Sequence, residues 1–180
     1  MKSTEQSKTY FKCAFFLLFA LMAVTKVSAQ AFDGDSDYKI LVGYTDVGGR
    51  SGLEGGVDMG INDYLSYGAK ITYITSGKKT SSDRPTSIDR TDLAAMLNLH
   101  FSELFSMNQR SDLYIGCSAG WRAVGLNAGF RYNFSEICGV YIQMQQNLWN
   151  SIASIAHDNG DPCLYRKKTS LSVGFTFNIE

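Results

Sequence analysis

An all-β fold is predicted by eight segments in which apolar and small polar residues alternate, behind an N-terminal export signal. Successive side chains of a strand point to opposite faces, so this alternation gives each strand one apolar and one polar face. The last segment is the clearest, because every second residue from Leu171 to Ile179 is apolar and those between are Ser, Gly, Thr or Asn. Segments of about ten such residues separated by turns are typical of membrane barrels. The prediction is an eight-stranded antiparallel up-and-down transmembrane β-barrel after a cleaved signal peptide, located in the outer membrane.

Residues 1–29 have the layout of a secretory signal peptide. Three lysines precede an uninterrupted apolar run from Cys13 to Val24, and small residues follow at Ser28 and Ala29, where cleavage is predicted. Cleavage after Ala31 is an overlapping alternative. The apolar run is shorter than the roughly 20 residues that a spanning helix needs. The remaining residues 30–180 have a length that fits one domain, predicted to be the outer-membrane β-barrel.

The first half of the predicted barrel contains strands at residues 38–44, 53–61, 65–75 and 91–101. Their apolar faces are, in order, Tyr38, Ile40, Val42 and Tyr44; Leu53, Val57, Met59 and Ile61; Leu65, Tyr67, Ala69, Ile71 and Tyr73; Leu93, Ala95, Leu97, Leu99 and Phe101. The fourth segment is ambiguous, because its Ala, Met and Leu residues also favour a helix. Its alternation and its neighbours favour a strand.

The second half contains strands at residues 112–121, 124–134, 139–147 and 169–179. The apolar faces of the first three are Leu113, Ile115, Cys117, Ala119 and Trp121; Leu126, Ala128, Phe130, Tyr132 and Phe134; Val140, Ile142 and Met144. Short links at 61–65 and 134–137, and the longer one that starts at 101–104, share an apolar, small polar, acidic, apolar pattern and are predicted to be periplasmic. The other links, at 45–52, 76–90, 122–123 and 148–168, are predicted to be extracellular, since long loops lie on that side in membrane barrels.

Which face points outward is decided by composition, because a lipocalin-like soluble barrel also alternates but keeps its apolar face inside. Here the polar face is rich in Gly, Ser, Thr and Asn, which suit the crowded interior of a narrow barrel. Aromatic residues also cluster near the strand ends, as they do at membrane interfaces. The predicted aromatic girdle is Tyr38, Tyr67, Phe101, Phe134 and Phe177 at one interface, and Tyr44, Tyr73 and Trp121 at the other.

Six charged residues on the polar face are predicted to form a network inside the barrel: Lys39, Glu54, Asp58, Lys70, Asp92 and Arg131. Buried charges are costly unless they are paired. Lys70 is expected to lie diagonal to Asp58 or Glu54 across the second and third strands. The alternative interpretation is a polar path for ions or small solutes.

Taken together, these features resemble those of the small eight-stranded outer-membrane barrels of Gram-negative bacteria, the OmpX, OmpA-transmembrane-domain and opacity porin-like group. The resemblance rests on the signal, the Gly-rich alternating strands, the turn pattern and the closing Val173-Gly-Phe-Thr-Phe177. It implies outer-membrane lipid and the barrel-assembly machinery, which reads the C-terminal strand, as partners, with a possible extracellular partner at the loops. Such chains usually end on an aromatic residue, whereas here Phe177 is followed by Asn178-Ile179-Glu180.

Few features of the sequence indicate catalysis or metal binding. His100 and Ser102 form a His-x-Ser pair like that of outer-membrane lipid A deacylases, but no acid stands at an obvious matching position at 113–115. The acidic segments 157–161 and 33–37 are interpreted as a solvated loop and a flexible periplasmic lead-in. Cys117, Cys138 and Cys163, an odd number without metal-ligand spacing, are interpreted as free or incidental thiols. No catalytic residue, cofactor or metal site is predicted.

Composition narrows the possible functions. The chain after the signal has thirteen basic and sixteen acidic residues, a net charge of −3, which gives no basic surface for nucleic acid. The predicted function is therefore a non-enzymatic outer-membrane barrel with an envelope-structural or surface-interaction role, carried by loop residues 78–90 and 150–166. The alternative is a narrow porin-like channel for small solutes. A lipid-modifying enzyme and a soluble periplasmic ligand-binding barrel are further alternatives.

Overall fold

The computed structural model describes residues 30–75, 90–105, 107–150, 164–165 and 167–179, with the side chains of Ser36 and Asn150 left aside. The predicted signal peptide, the acidic loop at 157–161 and Cys163 lie outside the described residues. The described residues form eight strands: β1 Tyr38–Val47, β2 Ser51–Asn62, β3 Leu65–Ile74, β4 Thr91–His100, β5 Ser111–Gly120, β6 Ala123–Asn133, β7 Cys138–Asn150 and β8 Thr169–Ile179.

The strands close into a barrel. Each strand pairs antiparallel with the next along the chain, and β8 pairs with β1 from Tyr38 opposite Ile179 to Val47 opposite Ser170. The predicted eight-stranded, antiparallel, up-and-down barrel is confirmed. The ambiguous fourth segment is a strand, because β3 and β5 pair with it on both sides and its side chains alternate between buried and exposed.

The two ends of the barrel differ. We call the end that carries residues 30–37 and the links after β2, β4 and β6 the turn end, and the opposite end the loop end. At the loop end the predicted loop at 45–52 is a tight hairpin, in which Gly48 and Gly49 adopt φ of 58° and 82°. Positive φ at both central residues is the requirement of the hairpin turn that matches strand twist. The strand β7 also runs further than predicted, so Trp149 pairs with Val124 instead of lying in a loop.

The segment before β1 is ordered against the barrel, so the expectation of a flexible lead-in at 33–37 is wrong. Residues Gly34–Ser36 form a 3-10 turn, and Ala31 and Phe32 are buried. Asp37, which is 6 % exposed, pairs with Lys39 inside the barrel. The sequence pattern does not reveal this arrangement, because Phe32 packs on His100 far along the chain and because Asp37 meets Lys39 only where β1 enters the barrel.

The distribution of polarity is the reverse of that in a soluble globule. The outer face carries the large apolar side chains, with Val42, Leu53 and Leu126 each more than half exposed. The inner face carries Lys, Arg, Asp, Glu, Asn, Gln and Ser side chains that are nearly all buried. Apolar packing inside is limited to small clusters, of which one joins Leu41, Met96 and Tyr141 in the lumen.

Candidate functional site

The polar lumen is the candidate site, and all six predicted charged residues point into it. Each is 6 % exposed or less, although the strands that carry them lie all around the barrel. Four of them form two ion pairs, Arg131–Asp58 and Lys70–Glu54. The other two, Lys39 and Asp92, bind other partners.

The first pair crosses the lumen. The guanidinium of Arg131 on β6 donates to the carboxylate of Asp58 on β2, two strands on opposite walls of the barrel. The same guanidinium lies 4.8 Å from the ring centroid of Tyr114, whose hydroxyl donates to Oε1 of Gln143 at 2.9 Å. A cation over an aromatic face is attracted by the ring quadrupole. These contacts join β6 to β2 on the opposite wall and to β5, and they join β5 to β7.

The second pair resolves the alternative that the sequence left open. Nζ of Lys70 lies 3.2 Å from Oε2 of Glu54, so Glu54 is its partner and Asp58 is not. Lys70 also donates to Gln145 at 2.7 Å, and Glu54 accepts from the Tyr141 hydroxyl at 2.9 Å. A buried carboxylate that accepts several donors keeps its charge at a lower cost.

The remaining two predicted residues bind near the two ends of the barrel. Lys39 donates to Asp37 at 2.6 Å and to Oδ1 of Asn178 at 2.9 Å, both at the turn end. Asp92 accepts the backbone N–H of Arg122 at 2.7 Å, near the loop end. Both contacts fix a chain segment beside a strand end.

At the turn end the structure brings together a serine, a histidine and an aspartate. Nδ1 of His100 lies 2.7 Å from Oδ2 of Asp112, and its Nε2 lies 2.8 Å from Oγ of Ser66. The ring of Phe32 stacks on the imidazole with centroids 3.6 Å apart and planes 5° apart. We call Ser66, His100 and Asp112 the His100 cluster.

The expectation that His100 has no matching acid is wrong. His100 stands directly opposite Tyr114, and Asp112 lies two residues before Tyr114 in β5, on the same face. Such diagonal neighbours are within reach of long side chains, so the matching acid lies one position before the directly facing segment 113–115. The serine is Ser66 on β3, which no local motif links to His100, whereas Ser102 of the His-x-Ser pair lies in the turn.

The order of contacts in the His100 cluster matches a nucleophilic triad, but the surroundings do not suit acyl transfer. Ser66 has no exposed surface, and Phe32 covers the imidazole. A substrate carbonyl must approach the nucleophile to about 3 Å with oxyanion donors beside it. Ser66 also hydrogen-bonds Asp58, so it bridges His100 to the Arg131–Asp58 pair. The cluster, as packed here, ties β2, β3, β4 and β5 together.

Glycines on the inner face make room for the two large rings. A Cβ at Gly129 would overlap the ring of Tyr114, and a Cβ at Gly174 would lie 2.8 Å from Cε1 of Tyr141. Gly43 also faces the Tyr141 hydroxyl. Protein interiors are close-packed, so each of these rings needs its glycine opposite. The small residues that the sequence shows on this face are therefore the complement of the large ones.

The loop end is also capped from inside. The single hydroxyl hydrogen of Tyr165 is shared between the carbonyl oxygen of Arg90, at 2.6 Å, and that of Thr72, at 3.2 Å. Its ring packs with Val47, Ile74 and Ala123. No local pattern marks Tyr165 in the sequence, because only the folded chain brings it over the mouth.

The predicted aromatic girdle lies on the outer face near both barrel ends. Six of its members are 38–58 % exposed, a range that distinguishes them from the buried Tyr114 and Tyr141; they are Tyr38, Tyr44, Tyr67, Tyr73, Trp121 and Phe177. Phe101 and Phe134 are partly buried at the turn end. Trp149, at 67 % exposed, stands at the loop end of β7 and extends the set. Cys117 is an exposed free thiol on the outer face and Cys138 a buried one.

Comparisons with known proteins agree with the fold. A designed transmembrane β-barrel superposes with a TM-score of 0.58 at 10 % identity, covering 82 % of this chain and 98 % of the design. The N-terminal β-barrel domain of Pseudomonas aeruginosa OprF superposes with a TM-score of 0.53 at 10 % identity, covering 82 % of this chain and all of that domain. No curated protein matches the sequence. A family model described as a family of unknown function, DUF6646, matches residues 22–179.

Proposed function

The chain belongs to the DUF6646 family, and from this premise we propose that it is an integral outer-membrane barrel with a non-enzymatic role in the envelope or at the cell surface. By analogy with the small OmpX, OmpA-domain and opacity-type barrels, the barrel is the anchor and the loops carry recognition. The proposal includes export by a signal peptide at residues 1–29.

One observation carries the membrane placement: the barrel is apolar outside and charged inside. The outer face exposes Leu, Ile, Val and Phe side chains along every strand, whereas buried ion pairs such as Arg131–Asp58 fill the interior. Exposed in water, such a surface would far exceed the apolar patches of soluble monomers. In lipid it is the required surface, and a closed barrel leaves no strand edge unpaired. An apolar outer face and a charged inner face also argue against a soluble ligand-binding barrel.

Contacts between opposite walls of the lumen support an anchoring role over a channel. The Arg131–Asp58 pair joins β6 to β2, and Lys70 on β3 donates to Gln145 on β7. The His100 cluster projects into the lumen from β3, β4 and β5 beneath Phe32. An ion moving through the lumen would have to displace these side chains.

The proposed partners follow from the two surfaces. Lipid chains contact the apolar belt, and the assembly machinery acts through β8, which closes the barrel by pairing with β1. Extracellular partners would meet the loops at 78–90 and 150–166, most of which lie outside the described residues. Phe177 is the last aromatic residue of β8 and points outward, and it would serve as an inward-shifted form of the aromatic signal of such chains.

The first experiment is the gel mobility of the outer-membrane fraction, with and without boiling in detergent. A folded membrane barrel is expected to migrate differently from the boiled chain, and the protein is expected in the membrane pellet. Recovery in the soluble periplasmic fraction, without a mobility shift, would contradict the membrane placement. Purified protein in a planar lipid bilayer is expected to be silent, whereas steady single-channel steps would favour the porin-like alternative.

A further inference from the structure

We propose that residues 30–37 form a latch, which closes the mouth at the turn end over the His100 cluster and opens while the barrel stays intact. We call this segment the N-terminal latch. The inference concerns the barrel itself and does not depend on the proposed role in the envelope.

The contacts of the latch span the mouth. The N–H of Ala31 donates to the carbonyl oxygen of Gln109 in the β4–β5 link at 2.7 Å. Nδ2 of Asn133, at the end of β6, donates to the carbonyl oxygen of Gln30 at 2.7 Å. At the other end of the latch, the backbone N–H of Gly60 on β2 donates to the carbonyl oxygen of Asp37 at 2.8 Å. The segment therefore crosses from β2 to the far side of the opening.

Phe32 is the part of the latch that covers the lumen. Its ring lies flat on the imidazole of His100, and it is 4 % exposed although it belongs to a segment outside the strands. Ser66 and Asp112 lie on the two nitrogens of the same imidazole. The latch thus separates a buried polar cluster from solvent by the thickness of one ring.

The barrel can stay closed without the latch. Its strand ladders begin at Tyr38, which pairs with both Met59 and Ile179, so neither closure nor the central Arg131–Asp58 pair uses residues 30–36. Two latch acids, Asp33 and Asp35, are exposed. A segment that lies outside the strand ladders can open at a lower free energy than the ladders it covers. Opening of the latch would expose the His100 cluster to solvent and would leave the Arg131–Asp58 pair intact.

Two substitutions loosen the latch from opposite sides. Phe32→Ala removes the ring from the latch. Gly60→Ala acts from the barrel wall, because a Cβ at this position would collide with the carbonyl of Gly34. Phe105→Ala is the matched control, since Phe105 is an aromatic residue of the same end that is 63 % exposed and lies outside the lumen.

The readout is the rate at which diethyl pyrocarbonate modifies His100, followed by mass spectrometry on the full-length mature chain folded in detergent. The wild-type barrel is expected to react far more slowly than the boiled chain. Loss of an aromatic stack weakens the closed state by about 1.4 kcal/mol, which corresponds to a roughly tenfold faster reaction in Phe32→Ala. Gly60→Ala is expected to react faster as well, and Phe105→Ala at the wild-type rate, all three keeping the heat-dependent gel shift.

Two results would overturn the proposal: wild-type His100 reacting as fast as in the boiled chain, or folded latch variants staying as protected as the wild type. A urea series on the wild-type chain covers the case in which the variants do not fold. His100 is expected to become reactive at urea concentrations that leave the gel shift intact. Reactivity that appears only together with loss of the shift would mean that the mouth opens only by global unfolding.

Discussion

The pair that crosses the lumen allows a quantitative test of how the barrel is held together. Arg131→Met removes the guanidinium but keeps a long apolar side chain. Asp58, only 2 % exposed, then loses its charged partner and keeps the longer contact with Nδ2 of Asn98 at 3.5 Å and the bond with Ser66. Removing one member of a buried ion pair leaves an uncompensated charge, which costs about 3–5 kcal/mol. The stack on Tyr114 adds about 1 kcal/mol.

The double substitution distinguishes the interaction energy of the ion pair from the effect of changing each residue alone. Replacing both partners, as in Arg131→Met with Asp58→Leu, leaves no buried charge unpaired, and such replacements of whole pairs are often close to neutral. The double variant is therefore expected to be more stable than either single variant, with a coupling energy of about 3 kcal/mol. Lys168→Met, at an exposed cation near the loop end, is the control and should change the stability by less than about 0.5 kcal/mol.

The assay is equilibrium unfolding in urea of the barrel folded into lipid vesicles, with the folded fraction read from the gel shift. Midpoints and slopes give the free energy of unfolding for each variant. The reasoning is refuted if the double variant loses as much stability as the two single variants summed. Such additivity would mean that Arg131 and Asp58 contribute separately to the fold.

Four further outcomes are expected. Gly129→Ala should destabilise the barrel by about 1–3 kcal/mol, since its Cβ overlaps the ring of Tyr114. In the same urea assay, Gly55→Ala should change stability by less than about 1 kcal/mol, because the nearest atom is 3.8 Å away. Deleting residues 151–163 should leave a heat-modifiable barrel, and a deletion that abolishes the gel shift would contradict this. Tyr165→Phe should cost about 1 kcal/mol in the urea assay, because it removes the hydroxyl hydrogen that the carbonyls of Arg90 and Thr72 share. In vesicles, a lipid-soluble maleimide should label Cys117 and spare Cys138, as mass spectrometry can show; equal labelling would contradict the outward placement of Cys117.

Much of the barrel was accessible from the sequence because strand alternation is a local property. The eight strands appear at the predicted places, with ends shifted by one to three residues in most cases. Even the ambiguous β4 followed its alternation instead of its helix propensity, since pairing with β3 and β5 satisfies its backbone. The two-residue period also placed Lys39 and Arg131 on the polar face of their strands, the face that points into the barrel.

Partners across the lumen were not accessible in the same way. Arg131 and Asp58 are 73 residues apart and lie on opposite walls, so their meeting depends on barrel closure and on the relative shift of the strands. Ser66, His100 and Asp112 meet differently, because they lie on the neighbouring strands β3, β4 and β5 and their contacts depend on the register of those strands. Sequence spacing carries no information on such contacts, because it describes neighbours along one strand or across one turn.

The sequence by itself determined the number of strands, their order and the face on which each side chain lies, since all three depend on a repeat of two residues. Only the tertiary structure decided which buried charges pair, why glycines oppose the lumen tyrosines, and that Phe32 and Tyr165 cap the two ends. These features depend on the register of neighbouring strands and, for contacts between opposite walls, on distances across the closed barrel. Such distances exist only after β8 has paired with β1.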